Sequence, residues 1–154
     1  MINYPCGFFD GAASENIGGA GFVIHLNVAY CISFSLGCGC STNTRAELLA
    51  LWAILRVSKL MGLPMHSIFG DLLVIISWLN KLTTLNVPSL SHWCDDILSM
   101  LQSAPHVIFK HIYREHNSMA DGLSKHALKL DMGSGIFFES LEGMIIDHGQ
   151  FMLF

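Results

Sequence analysis

Residues 44–60 read Thr-Arg-Ala-Glu-Leu-Leu-Ala-Leu-Trp-Ala-Ile-Leu-Arg-Val-Ser-Lys-Leu, and this stretch decides the fold class. Ala46, Leu49, Ala50, Ala53, Val57 and Leu60 fall on one face by the i, i+3, i+4, i+7 rule of a helix. Leu48, Leu51, Trp52 and Leu55 make much of the other side apolar, so the spacing predicts a central, well-buried helix. Gly62-Leu63-Pro64 ends it. Upstream the period is different. Residues 4–10, 20–26 and 28–36 are short β-branched and aromatic runs, with a Gly-, Ala- and Ser-rich turn expected from Gly11 to Gly21. Downstream, 66–69 and 106–113 read as strands and 72–81 and 91–102 as helices. Asn117 can cap a last helix, with Ala120, Leu123, Ala127 and Leu130 on its apolar face. The order βββ-α-β-α-α-β-α predicts an α/β fold. Its five-stranded mixed sheet has three antiparallel strands followed by parallel additions, with helices on both faces. Residues 1–130 carry this domain. Residues 131–154 form an apolar C-terminal tail, expected to pack on the domain or on a partner.

The chain has 154 residues, 52% hydrophobic and 13% charged. That length suits one compact domain with a sizeable core. Residues 16–44 lack Asp, Glu, Lys and Arg, but glycines and polar residues interrupt them. No window offers the roughly 20 apolar residues of a spanning helix, so no membrane association is expected. The first residues show no basic region followed by an apolar one, and a secreted protein is not expected. Cys6, Cys31, Cys38, Cys40 and Cys94 are odd in number and lack zinc-type spacing, so all read as reduced thiols. The expected setting is intracellular, in nucleus or cytoplasm. A net charge of −4 is not that of a strong nucleic-acid binder.

Four acids emerge from apolar contexts at element ends. Asp10 follows Gly-Phe-Phe and Asp71 follows Ser-Ile-Phe-Gly. Glu47 lies in the first turn of the central helix and Asp121 in the first turn of the last. Each has an ordinary reading. Thr44-Arg45-Ala46-Glu47 fits a capping box. Asp10-Gly11 fits a turn. Asp71 fits a helix cap, and Asp121 the positive end of a helix. Together they fit a metal site, because converging carboxylates repel unless a cation neutralises them. Oxygen-only ligands select Mg²⁺ or Mn²⁺ over zinc.

Five stretches then combine. They are Phe-Phe-Asp-Gly-Ala at 8–12, Gly-Gly-Ala-Gly-Phe at 18–22, Ser-Thr-Asn-Thr-Arg-Ala-Glu at 41–47 and Phe-Gly-Asp at 69–71. The fifth is His-Ile-Tyr-Arg-Glu-His-Asn-Ser-Met-Ala-Asp-Gly-Leu-Ser at 111–124. In this order and spacing the chain resembles the ribonuclease H family, in particular the type 1-like domains of plant retroelement and reverse-transcriptase-associated type. The resemblance covers about residues 4–130.

The resemblance implies a metal-dependent phosphodiester hydrolase, an endonuclease that cuts the RNA strand of RNA–DNA hybrids with two Mg²⁺ ions, for which Mn²⁺ can substitute. By position, Asp10 would bridge both ions, and Glu47 and Asp71 would hold the one near the leaving group. Asp121 would hold the one that activates water. Such a pair clamps the attacking and leaving oxygens, so no side-chain nucleophile is needed. Different branches of the family use an Arg or a His near Arg114 and His111 to assist product or metal release; Arg114 is the preferred helper here, and His111 reads as part of the preceding strand. Gly11, Asn16, Asn43 and Thr44 match positions that contact the hybrid, although Thr44 stands where many members carry Asn.

Residues 80–91 contribute only Lys81 as a base, whereas some members carry a basic extension there. Weak, salt-sensitive binding by this chain alone is expected, with a fused or associated reverse-transcriptase or binding module supplying grip. Two other functions compete. One is a catalytically weak or inactive retroelement-derived nucleic-acid-binding domain, suggested by the low basic charge. The other is a protein-interaction domain, suggested by the apolar tail.

Overall fold

The structure is a computed structural model and describes residues 2–154. Three antiparallel strands open the chain: β1 (Cys6–Ser14), β2 (Ile17–His25) and β3 (Tyr30–Cys40). The expected turn from Gly11 to Gly21 is only two residues long. Glu15 and Asn16 both have positive φ, 52° and 66°, the conformation that matches a tight hairpin to the strand twist. The glycines lie inside the strands instead. A methyl group at Gly19 or Gly21 would run into the backbone of Ser124. A glycine that looks like a turn signal can equally mark a close backbone approach within a strand.

The helix α1 (Asn43–Leu60) follows. Its cap is Thr42, whose Oγ1 accepts from the Arg45 amide at 3.2 Å. The capping-box reading of Thr44 and Glu47 is therefore replaced, and the Glu47 side chain points elsewhere. β4 (Ser67–Gly70) pairs parallel to β1, and β5 (Ile108–His111) pairs parallel to β4. Between them lie α2 (Leu73–Leu79) and α3 (Ser91–Gln102). Next comes α4 (Ser118–His126). α1 covers one sheet face, burying Phe9, Phe22, Ile24, Leu36, Leu48, Leu51 and Ile54. α4 lies on the other face, against Gly19 and Gly21.

The sheet has seven strands, not five. β6 (Ser134–Leu141) pairs with β3, and β7 (Met144–Met152) pairs with β6, giving the order β5-β4-β1-β2-β3-β6-β7. Residues 131–154 thus extend the sheet. Their two strands lack clean alternation, because apolar residues occupy both faces, and Gly133-Ser134-Gly135 resembles a hinge. Pairing satisfies the outer backbone groups of β3, which would otherwise be an open edge. The chain end returns to the core: the Phe154 ring meets Trp52 and Trp93 edge-on, with centroids 5.7 and 5.6 Å away. Cys6, Cys31, Cys38, Cys40 and Cys94 are unpaired. Among the described residues, no helix is long and apolar enough to cross a membrane.

Candidate active site

Three elements bring three carboxyls together. β1 holds Asp10 at 3% exposure, and the first turn of α1 holds Glu47 at 5%. The parallel register pairs Phe9 with Gly70, so Asp71, one residue beyond β4, arrives beside Asp10. Gly11 allows the contact, because any side chain there would collide with the backbone of Ala46 and Glu47. One carboxyl oxygen from each of Asp10, Glu47 and Asp71 lies within 4.8 Å of the other two.

Burial and crowding change the acidity. Desolvation, then the neighbouring Asp10 and Asp71, push Glu47 far above the ordinary carboxyl range. Asp10 is also raised, chiefly by desolvation, with repulsion from Asp71 and Asp121 adding to it. Hydrogen bonds oppose the rise: a proton held on Glu47 reaches Asp10, and the Gly11 amide donates to Asp10 Oδ1 at 2.9 Å. Glu47 Oε2 is buried with no donor facing it. A buried acceptor in this state carries a desolvation penalty. An all-oxygen, acid-rich set with an orphaned oxygen fits a hard divalent cation such as Mg²⁺ or Mn²⁺.

Asp121 enters from α4 at the same open cleft, of about 520 Å³, which also exposes Gly11, Asn43, Thr44 and Arg114. Asp121 stands outside the group of three and pairs with Lys125, Nζ to Oδ2 being 2.9 Å. Asn43 Oδ1 accepts from the Ala13 amide at 3.1 Å, tying the head of α1 to β1. Two residues from the sequence reading lie away from the cleft lining. His111 sits at the end of β5, its Nε2 3.1 Å from the Asp71 carbonyl oxygen. Asn16 is at the hairpin tip, where its carbonyl accepts from the Ser41 amide at 2.8 Å.

Two residues were missed. Asn117 was read as a helix cap, yet its side chain makes no cap bond. Its Nδ2 donates to the Phe9 carbonyl at 2.9 Å and to Asp71 Oδ2 at 3.1 Å. It is 2% exposed and its Oδ1 has no partner. Lys125 lies four residues after Asp121, a spacing that could have announced the ion pair.

The sequence model of the family described as reverse transcriptase-like matches residues 8–127. The chain belongs to this family. Its fold is that of the ribonuclease H domains. RNase H1 from the halophilic archaeon Halobacterium salinarum NRC-1 is 26% identical, with a TM-score of 0.72, and the match covers 80% of this chain and 96% of that one. LC11-RNase H1, crystallised with an RNA/DNA hybrid, is 26% identical with a TM-score of 0.71, covering 80% of this chain and 95% of that one. The uncharacterized protein YpeP of Bacillus subtilis (strain 168) is 30% identical over 129 residues, which are 79% of this chain. The chain spans 57% of the length of that curated relative.

Proposed function

We propose that this domain hydrolyses the RNA strand of RNA–DNA hybrids, endonucleolytically and with two divalent cations. The observation that carries the reading is the Asp10–Glu47–Asp71 cluster, in which Asp10 and Glu47 are buried and one carboxyl oxygen from each of the three lies within 4.8 Å of the others. The 26% identity to two RNase H1 structures, one bound to an RNA/DNA hybrid, supports the choice of substrate. Asp10, Glu47, Asp71 and Asp121 are the residues that would hold the ions. When bound, such ions stabilise charge developing on the attacking and leaving oxygens of a phosphodiester.

The chain's own residues do the rest. Asn117 holds one Asp71 oxygen toward the cluster. Lys125 restrains Asp121. Arg114, exposed at the cleft, offers a guanidinium to a phosphate or to departing product. The bare Gly11 backbone and the polar ends of Asn43 and Thr44 line the same cleft, where ribose 2′-hydroxyls would distinguish RNA from DNA.

The test is cleavage of an end-labelled RNA–DNA hybrid in Mg²⁺ or Mn²⁺, with duplex DNA as control. Metal-dependent cutting of the RNA strand, lost in Asp10→Asn, is the expected result. Equal cutting by the variant would refute it. A second reading, a retroelement-derived hybrid-binding domain with weak or no turnover, draws on the net charge of −4. It predicts hybrid binding without cleavage at any metal concentration.

A further inference from the structure

The sheet outgrows the helix that covers it. On the α1 face two rows of register partners run outward from β3: Phe34–Phe137–Gly149 and Ile32–Glu139–Asp147. Ile32 and Phe34 belong to the buried core, whereas Glu139 is half-buried and Asp147 exposed. The C-terminal end of α1 forms one wall and the β6–β7 hairpin forms the floor. The result is a groove of about 480 Å³ lined mainly by Val57, Leu60, Met61, Phe137, Phe151 and Leu153. Leu60 is 63% exposed and Met61 42%, although both are large and apolar.

Charge at the groove has one sign. Glu139 and Asp147 sit directly opposite each other across β6 and β7 and both line the groove. The Tyr30 hydroxyl donates to Glu139 Oε1 and so fixes that carboxyl in place. Among the described residues, no Lys, Arg or His forms an ion pair with either acid. Like charges directly opposite on a sheet are destabilising, and an incoming cation would relieve this pair.

These two features select one occupant. An uncovered apolar sheet face beside a helix is closed, in layered α/β architecture, by another helix packed alongside. The two carboxylates call for lysine or arginine next to that helix's apolar stripe. We propose that this groove docks an amphipathic, basic helix of a partner protein. The groove belongs to β3, β6 and β7, with β2 between it and the β1–β4 cleft. The inference therefore does not depend on the nuclease reading. A basic helix seated there would also bring positive charge to a chain whose own net charge is −4.

The test uses the full chain, isotopically labelled, and two synthetic helical peptides with the same leucine stripe. One is flanked by lysines, the other by glutamates. The lysine peptide should shift the amide resonances of Val57, Leu60, Phe137, Glu139 and Asp147, and the glutamate peptide should not. Glu139→Gln combined with Asp147→Asn should weaken the lysine peptide by several-fold to about tenfold, as two half-exposed ion pairs would. Leu60→Glu should weaken it without altering the remaining spectrum, which shows that the variant is folded. Equal binding of both peptides, unchanged affinity in the double variant, or shifts centred on Asp10 and Asp121 would each overturn the proposal.

Discussion

Two places in this sheet set carboxyls against each other. In the cleft, Asp10, Glu47 and Asp71 meet where Asp10 and Glu47 are almost fully buried. At the hairpin, Glu139 and Asp147 face each other where Asp147 is open to water. The chemistry is the same and the surroundings differ. Water screens the hairpin pair, and the cost of their proximity is small. The buried cluster lacks that screening, so its acids hold protons or a metal ion. The difference teaches that acid clustering alone does not define a metal site; burial decides what the cluster must bind.

The largest expected effect strikes the buried side of that comparison. Asp10→Asn or Asp71→Asn should lower hybrid cleavage by more than about 10²-fold, since even residues that only support metal ligands are worth 10–100-fold. The same variants should be no less stable than the parent without metal, because each removes a repelling charge. Thermal denaturation in EDTA beside a cleavage assay reads both. A variant that lost activity by unfolding would break the distinction between the two clusters.

The pH dependence of the metal-free protein comes next. Folded Glu47 holds its proton above its ordinary value of 4.5 because of burial and its acidic neighbours, and unfolded Glu47 does not. Its stabilising contribution is therefore complete below about pH 4.5 and declines as pH rises toward the raised folded value. The slope is at most about 1.4 kcal/mol per pH unit for one group, a few degrees in Tm for a chain of this size. Denaturation curves in EDTA from pH 5 to 8 should show Tm falling, and Mg²⁺ or Glu47→Gln should flatten the fall. A flat curve in EDTA would mean that the cluster is not desolvated as described.

Asn117 tests how the cluster is held. Asn117→Ala removes the donor to Asp71 Oδ2 and to the Phe9 carbonyl. Mg²⁺ affinity measured by calorimetry should fall about 10–100-fold, the range for losing a group that orients a metal ligand. Unchanged affinity would show that Asp71 is placed by the β4 register alone.

Much of this was legible from residues, and the failures have physical causes. The helix at 44–60 and the strands around it announced themselves through periodicity, which survives because each buries one face or all of itself. Asp10 stood out because a charge after Gly-Phe-Phe is out of place, and the structure gathers Glu47 and Asp71 around it, with Asp121 at the same cleft. The hairpin tip at Glu15-Asn16 was hidden, since Gly18, Gly19 and Gly21 send a stronger turn signal, while Gly19 and Gly21 serve as the bed for α4. β6 and β7 were hidden because sheet extension at an edge needs no alternation when both faces are partly exposed. Asn117 was hidden because a cap and a buried donor look alike in one dimension.

The smallest expected effect returns to the hairpin. Glu139→Gln or Asp147→Asn alone removes the exposed pairwise repulsion, and cross-strand pairs of this kind are worth roughly 0.2–1 kcal/mol. Glu139→Gln also weakens the acceptor for the Tyr30 hydroxyl, which offsets part of the gain, so Asp147→Asn should be the more stabilising of the two. Urea denaturation should place the Asp147→Asn gain within that range and show no response to Mg²⁺ in parent or variant beyond what the cleft contributes. A Mg²⁺-dependent change in the Asp147→Asn increment would mean that the hairpin pair also binds the ion. Exposure would then no longer separate the two clusters.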